Sequence, residues 1–171
     1  MSATITEYSP DGMETAGNSR IVVIPTVADI NAITLAEWNS GTAIECATTA
    51  FALNTETNMI EKRYLCDKIA RQRPGARNVT VEALVVEVGD PQAENALLSL
   101  LAEDSTVVIA HRPGVEHRAA AASGQKYQAV RVLVTSQNLV GLSGEEGQTY
   151  EATHGLAVQA KNDGFLSELA A

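Results

Sequence analysis

The chain has little of what most function classes require. Its 171 residues include 2 cysteines, 3 histidines, 1 tryptophan and only 12 basic residues against 21 acidic ones. Its apolar runs fall well short of the roughly 20 residues that a membrane-spanning helix needs, so no membrane partner is expected. The first stretch, "MSATITEYSPDGMETAGNSR", is polar and carries Glu7, Asp11 and Glu14 where a secretory signal has a basic start and an apolar centre. With no oxidising compartment implied, Cys46 and Cys66 read as buried thiols rather than a disulfide. A net charge of −9 argues against wrapping nucleic acid through phosphate neutralisation. Aromatic residues make up 4% of the chain, which disfavours a ligand-binding β-sandwich module, whose site would display exposed rings.

Catalytic signatures are also missing. The nucleophile pattern G-x-S-x-G does not occur, and "GLSGEEGQ" only superficially suggests it. A phosphate-cradling loop would need glycines and a lysine between a strand and a helix, and no stretch provides them. His111 and His117 in "HRPGVEH" meet no standard zinc spacing, and His154 reads as a hydrogen-bonded core histidine. "NVT" at Asn78 matches a glycosylation acceptor but falls at a strand start. No catalytic residue, metal or cofactor is assigned, and an enzyme is not expected.

What is present is alternation. The length suits one domain, divided here into an arm over 1–19, a domain over 20–160 and a tail over 161–171. "IVVI" reads as a strand that Pro25 ends, and Thr34 caps a short helix, "LAEWNSG", that Gly41 terminates and Trp38 pins to the core. "TAIECATTAFAL" and "MIEKRYLCDKIARQR" read as strands, with 54–77 forming a long exposed connection and Pro74-Gly75 a turn. "NVTVEALVVEVG" is the clearest strand. A helix of about 90–103 follows, with Asp90 as N-cap, Pro91 in its first turn and Leu97, Leu100 and Leu101 on its packing stripe. "TVVIAH", "KYQAVRVLVT" and "QTYEATHGLAVQAK" read as further strands, the last with a wet face carrying Thr149, Glu151, Thr153 and Gln159. In the tail, Phe165, Leu166 and Leu169 fall at helical spacing. The sum is a mainly β fold, an antiparallel β-sandwich or barrel of about seven strands with one flanking helix.

One charge cluster stands out. Lys62, Arg63, Lys68, Arg71, Arg73 and Arg77 place half of the basic residues in one short segment of an acidic chain. Such a segment can dock on an acidic patch of an identical neighbour, or simply form a solvated loop.

Three segments, "RIVVIPTVADINAITLAEW", "IECATTAFALNTETN" and "RYLCDKIARQRPGARNVTVEALVVEV", resemble in order and spacing the major tail tube proteins of long-tailed, siphovirus-type phages that infect actinobacteria. The resemblance covers roughly 20–90 and continues in outline beyond. It implies a β-sandwich protomer that closes into hexameric rings, stacked into a hollow tube through which the genome leaves the virion. It also implies assembly in the host cytoplasm with a tape-measure protein, a tail-tip initiator and a tail terminator. On this reading Thr149, Glu151, Thr153 and Gln159, with Glu82 and Glu87, are expected to face the lumen, where like charge keeps DNA from sticking. Segment 54–77 is expected to bridge rings, its basic residues meeting Glu145, Glu146 or Asp104 of the next ring. The arm and tail are expected to order on assembly. A tail terminator or decoration protein is the rival reading.

Overall fold

The computed structural model describes residues 12, 14–48, 51–63, 71–82, 84–140, 149–164 and 166–171. Among these, nine strands and two short helices run in the order β1 (Ser19–Ile24), α1 (Leu35–Ser40), β2 (Thr42–Ala43), β3 (Leu53–Lys62), β4 (Arg71–Val81), β5 (Leu84–Val88), α2 (Ala96–Leu100), β6 (Thr106–Pro113), β7 (Lys126–Val140), β8 (Tyr150–Lys161) and β9 (Ser167–Glu168). Seven strands form one antiparallel sheet in the order β2-β1-β6-β7-β8-β5, with β9 against β7, while β3 and β4 form a separate two-stranded ribbon.

Over β1, β6 and the first half of β7 the sheet is buried on both faces. Strict alternation sends Val130, Val132 and Val134 to one face of β7 and Tyr127 and Ala129 to the other, and all five are buried. The first face joins Val23, Ile109, Val107, Leu84 and Val86 in an inner core that Leu101 closes, with Leu97 and Leu100 packed against it. The opposite face joins Val22, Ile24, Val108 and Ala110 to Trp38 of α1 and to Ile30, Ile33 and Leu169. The sheet curls around the inner core. The turn after β2 reaches from one end of the sheet to the other: Ile44 N–H donates to Ile21 O at 2.9 Å and Glu87 N–H to Ala47 O at 2.8 Å. The expected sandwich or barrel therefore takes a half-barrel form.

Local chemistry explains α1. Thr34 Oγ1 accepts from Glu37 N–H at 3.2 Å while Glu37 Oε2 accepts from Thr34 N–H at 2.9 Å, a reciprocal capping box. Two backbone N–H donors, from Ala28 first and then Thr34, hold the Glu37 carboxyl below its ordinary pKa. At the other end Gly41 is required by space, since a Cβ there would lie 2.9 Å from Val23 O.

Five expectations are corrected. The second helix starts at Ala96 rather than at Pro91 and ends well short of residue 103. Asn95 Oδ1 accepts from Leu97 and Leu98 N–H, whereas Asp90 Oδ1 turns the chain by accepting from Gln92 N–H at 2.9 Å. Pro74-Gly75 does not turn the chain; both residues lie within β4, where the register shifts because Gly75 and Ala76 oppose the single Asn58 between Thr57 and Met59. A Cβ on Gly75 would stand 2.9 Å from Asn58 O, so glycine admits the close approach there. The long exposed connection is the ribbon itself, with polar "NTETN" running inside β3, because a strand with both faces in water needs no apolar alternation. The tail is extended, not helical: β9 pairs with β7, Leu169 is buried and Ala170 N–H donates to Ile33 O at 2.9 Å. Cys46 is exposed in the turn after β2 and is not a buried thiol; Cys66 and Phe165 lie outside the described residues.

Candidate functional site: an acidic sheet face and a basic ribbon

The outer surface of the β5–β8 pair follows from its register. Leu84 faces His154 and Val86 faces Ala152, and all four are buried in the inner core side. The residues between them must then point outward: Val85 opposite Thr153, and Glu87 directly opposite Glu151. β7 extends the same surface, with Asn138 opposite Thr153 and Val140 opposite Glu151. Two carboxylates in direct cross-strand apposition repel each other, an arrangement that costs stability in the single protomer. Of the expected lumen residues, the fold thus brings Glu87, Glu151 and Thr153 together. Gln159 lies further along β8, at the bulge opposite Arg131 and Val132, and Thr149 is exposed just before the strand. Glu82 sits apart at the root of the ribbon, accepting from Asn54 Nδ2 at 3.4 Å.

The ribbon carries the opposite charge. Lys62, Arg63, Arg73 and Arg77 are exposed, and nine of the ten β3 residues are exposed. Arg71 belongs to β4 by its backbone, and Lys68 lies outside the described residues, as do Glu145 and Glu146. Asp104 is exposed at the start of the turn into β6, in left-handed backbone with φ 64°. Sequence reasoning missed Met59 and Ile60, which are 54% and 59% exposed in the midst of this polar ribbon. Their apolar character was the available signal.

The histidines serve structure. His154 is buried, Gln137 Nε2 donates to its Nε2 at 3.2 Å, and burial pushes its pKa below the ordinary value. His111 contacts the Ser19 hydroxyl through Nε2, and burial lowers its pKa as well. His117 N–H donates to Gly17 O at 2.9 Å, so both fasten the root of the N-terminal arm to the barrel. A cavity of about 540 Å³ opens there, lined in part by Ser19, Ile21, Glu45, Cys46, Phe51 and His111. Among the described residues no group of three or more His, Cys, Asp or Glu is placed to hold a metal ion. No helix among them is long and apolar enough to cross a membrane.

The described residues form a β-rich half-barrel with an acidic pair on the outer side of its β5–β8 edge and a net basic ribbon. The particular family follows from the sequence: the model of the phage tail tube protein family matches residues 8–165, and the chain belongs to that family. It is a structural component of the virion tail. Among solved structures, a chain in the cryo-EM structure of the anti-feeding prophage (AFP) baseplate, 6-fold symmetrised, has the same fold. That chain is 14% identical, the match covers 91% of this chain and 96% of that one, and the TM-score is 0.53. No curated protein matches the chain.

Proposed function

We propose that this protein closes into hexameric rings that stack into the hollow tail tube of a long-tailed, siphovirus-type phage of actinobacteria, with the Glu87–Glu151–Thr153 face turned to the lumen. The observation that carries this reading is the like-charged cross-strand pair, exposed Glu87 opposite half-buried Glu151. Such a pair destabilises the protomer and gains a purpose where a polyanion must slide past without adhering. The six-fold symmetry named for the AFP baseplate structure supports a six-fold ring. A tape-measure protein, a tail-tip initiator and a tail terminator are the partners such a tube requires, and assembly takes place in the host cytoplasm. The β3–β4 ribbon, net basic on an acidic body, makes the contact between rings, and the arm that leads into β1 adds contacts to neighbouring copies.

Negative-stain electron microscopy of the concentrated protein tests this. Hollow tubes or stacked six-membered rings are the expected result. A sample that stays monomeric both at high concentration and with the tail-tip initiator added would overturn the reading.

A further inference from the structure

The rings must be joined by particular surfaces, and the exposed apolar side chains mark them. Among the described residues the large exposed apolar side chains are Met59, Ile60, Leu139, Val140 and Tyr150. They fall into two places: the ribbon, and the far end of the β7–β8 pair. At that end Leu139 lies opposite Ala152, and Tyr150 opposite Val88, so Leu139 and Tyr150 point to the side of the sheet that holds the inner core. They are 45% and 42% exposed, a rim where the core runs out into water.

The same rim has an open edge. β6 pairs with β7 only as far as Leu133, and beyond it β8 is the one strand paired with β7 among the described residues. Glu103 Oε1 accepts from Gln137 N–H at 3.2 Å on the free side, and Asp104 N–H donates to Val134 O at 2.9 Å. The edge is therefore flanked by two exposed carboxylates, while Met59 and Ile60 stand among Lys62, Arg63, Arg73 and Arg77. By register Ile60 faces Arg73 across the ribbon, so apolar and cationic side chains share one surface. Both sites are apolar at the centre and charged at the margin: the rim is acidic, while the ribbon, with Lys62, Arg63, Arg73 and Arg77 against Glu56 and Glu61, is net basic. A two-stranded ribbon alone is marginal in water and its edges invite pairing.

We propose that the Met59–Ile60 region of the ribbon docks on the Leu139–Tyr150 rim of a second copy of this chain, with Arg73 and its basic neighbours against Glu103 and Asp104. This rests on the tube reading and names its interface. Donor and acceptor are different surfaces, so every copy offers one of each and the contact propagates from copy to copy instead of ending at a dimer.

A cysteine pair tests it. In a Cys46→Ser, Cys66→Ser background, Ile60→Cys and Leu139→Cys are placed in one chain, and oxidation is followed on non-reducing gels beside electron microscopy. A reducible ladder of trimers and higher multimers is expected, whereas either single cysteine variant stops at dimers. Tubes without a ladder would overturn the docking and leave the tube standing; neither tubes nor ladder, at high concentration and with the tail-tip initiator added, would overturn both. A ladder without hollow tubes would support the docking and sink the tube. As a second measurement, Ile60→Asp in the unmodified chain is expected to keep the wild-type melting temperature, since the site is exposed, while assembly falls at least tenfold. Unchanged assembly would count against the interface.

Discussion

Single buried polar residues hold the loops over this barrel. Arg112 is fully buried; its guanidinium donates to Ala119 O at 2.8 Å and to Gln125 Oε1 at 2.8 Å, with longer bonds to Glu116 O and Ala120 O. It also lies 6.0 Å from the Trp38 ring centroid, and burial lowers its pKa from an ordinary value so high that it stays charged. Arg112→Met leaves those carbonyls without a donor and is expected to cost about 3 kcal/mol in chemical denaturation. Tyr127 Oη donates to Ile30 O at 2.9 Å and accepts from Ile33 N–H at 3.0 Å. Tyr127→Phe should cost about 1–3 kcal/mol by the same measurement. His154 and His111 are both held in the neutral form by burial, so the unfolded chain binds more protons than the folded one as acid is added. Stability is expected to be flat above about pH 7 and to fall below about pH 6.5, the unfolded histidine value. Protonation would also set an N–H of His154 against the Gln137 amide that now donates to it. A pH series of denaturation midpoints that rose on acidification would contradict this.

At the scale of elements, what could be read depended on whether the element kept its own local signals. α1 was legible in full because its cap, its buried Trp38 and its terminal Gly41 are contiguous; Thr34→Ala should lower stability by about 1 kcal/mol in a thermal or urea melt. For α2, Asp90-Pro91 and Asn95 both carry capping chemistry, and the helix starts at the cap that sets Leu101 into the inner core. The ribbon has the sequence of a connection because its strands have no buried face to impose alternation. Its exposure predicts fast amide hydrogen exchange in the free protomer, against slow exchange in β6 and β7, and strong protection once tubes form. Equal protection of the ribbon before and after assembly would show that it is not an interface.

For the whole molecule, charge geometry outweighs net charge. The value of −9 bounded the partners, but only the sheet placed Glu87 across from Glu151. Removing that repulsion with Glu87→Gln should stabilise the isolated protomer by about 0.2–1 kcal/mol. In assembled tubes, Glu87→Lys with Glu151→Lys should make DNA adhere in a salt-dependent way, read by co-sedimentation, while wild-type tubes leave DNA in the supernatant. Wild-type tubes that retained DNA as strongly would remove the lumen assignment.

The β-rich class, the strand faces of β7 and β8, the Thr34 cap of the first helix and the concentration of basic residues in one segment can all be read along the chain. These depend on residues two to four apart, where side-chain spacing and hydrogen bonding act directly. Folding settles which strands are neighbours, that Pro74-Gly75 passes through a strand, that Cys46 lies in solvent and that β1, β6 and the first half of β7 are covered on both faces. It also brings an acidic pair together from distant positions and sets two apolar patches at separate sites. Each of these depends on register and curl between segments far apart in the chain, and local periodicity carries no information about either.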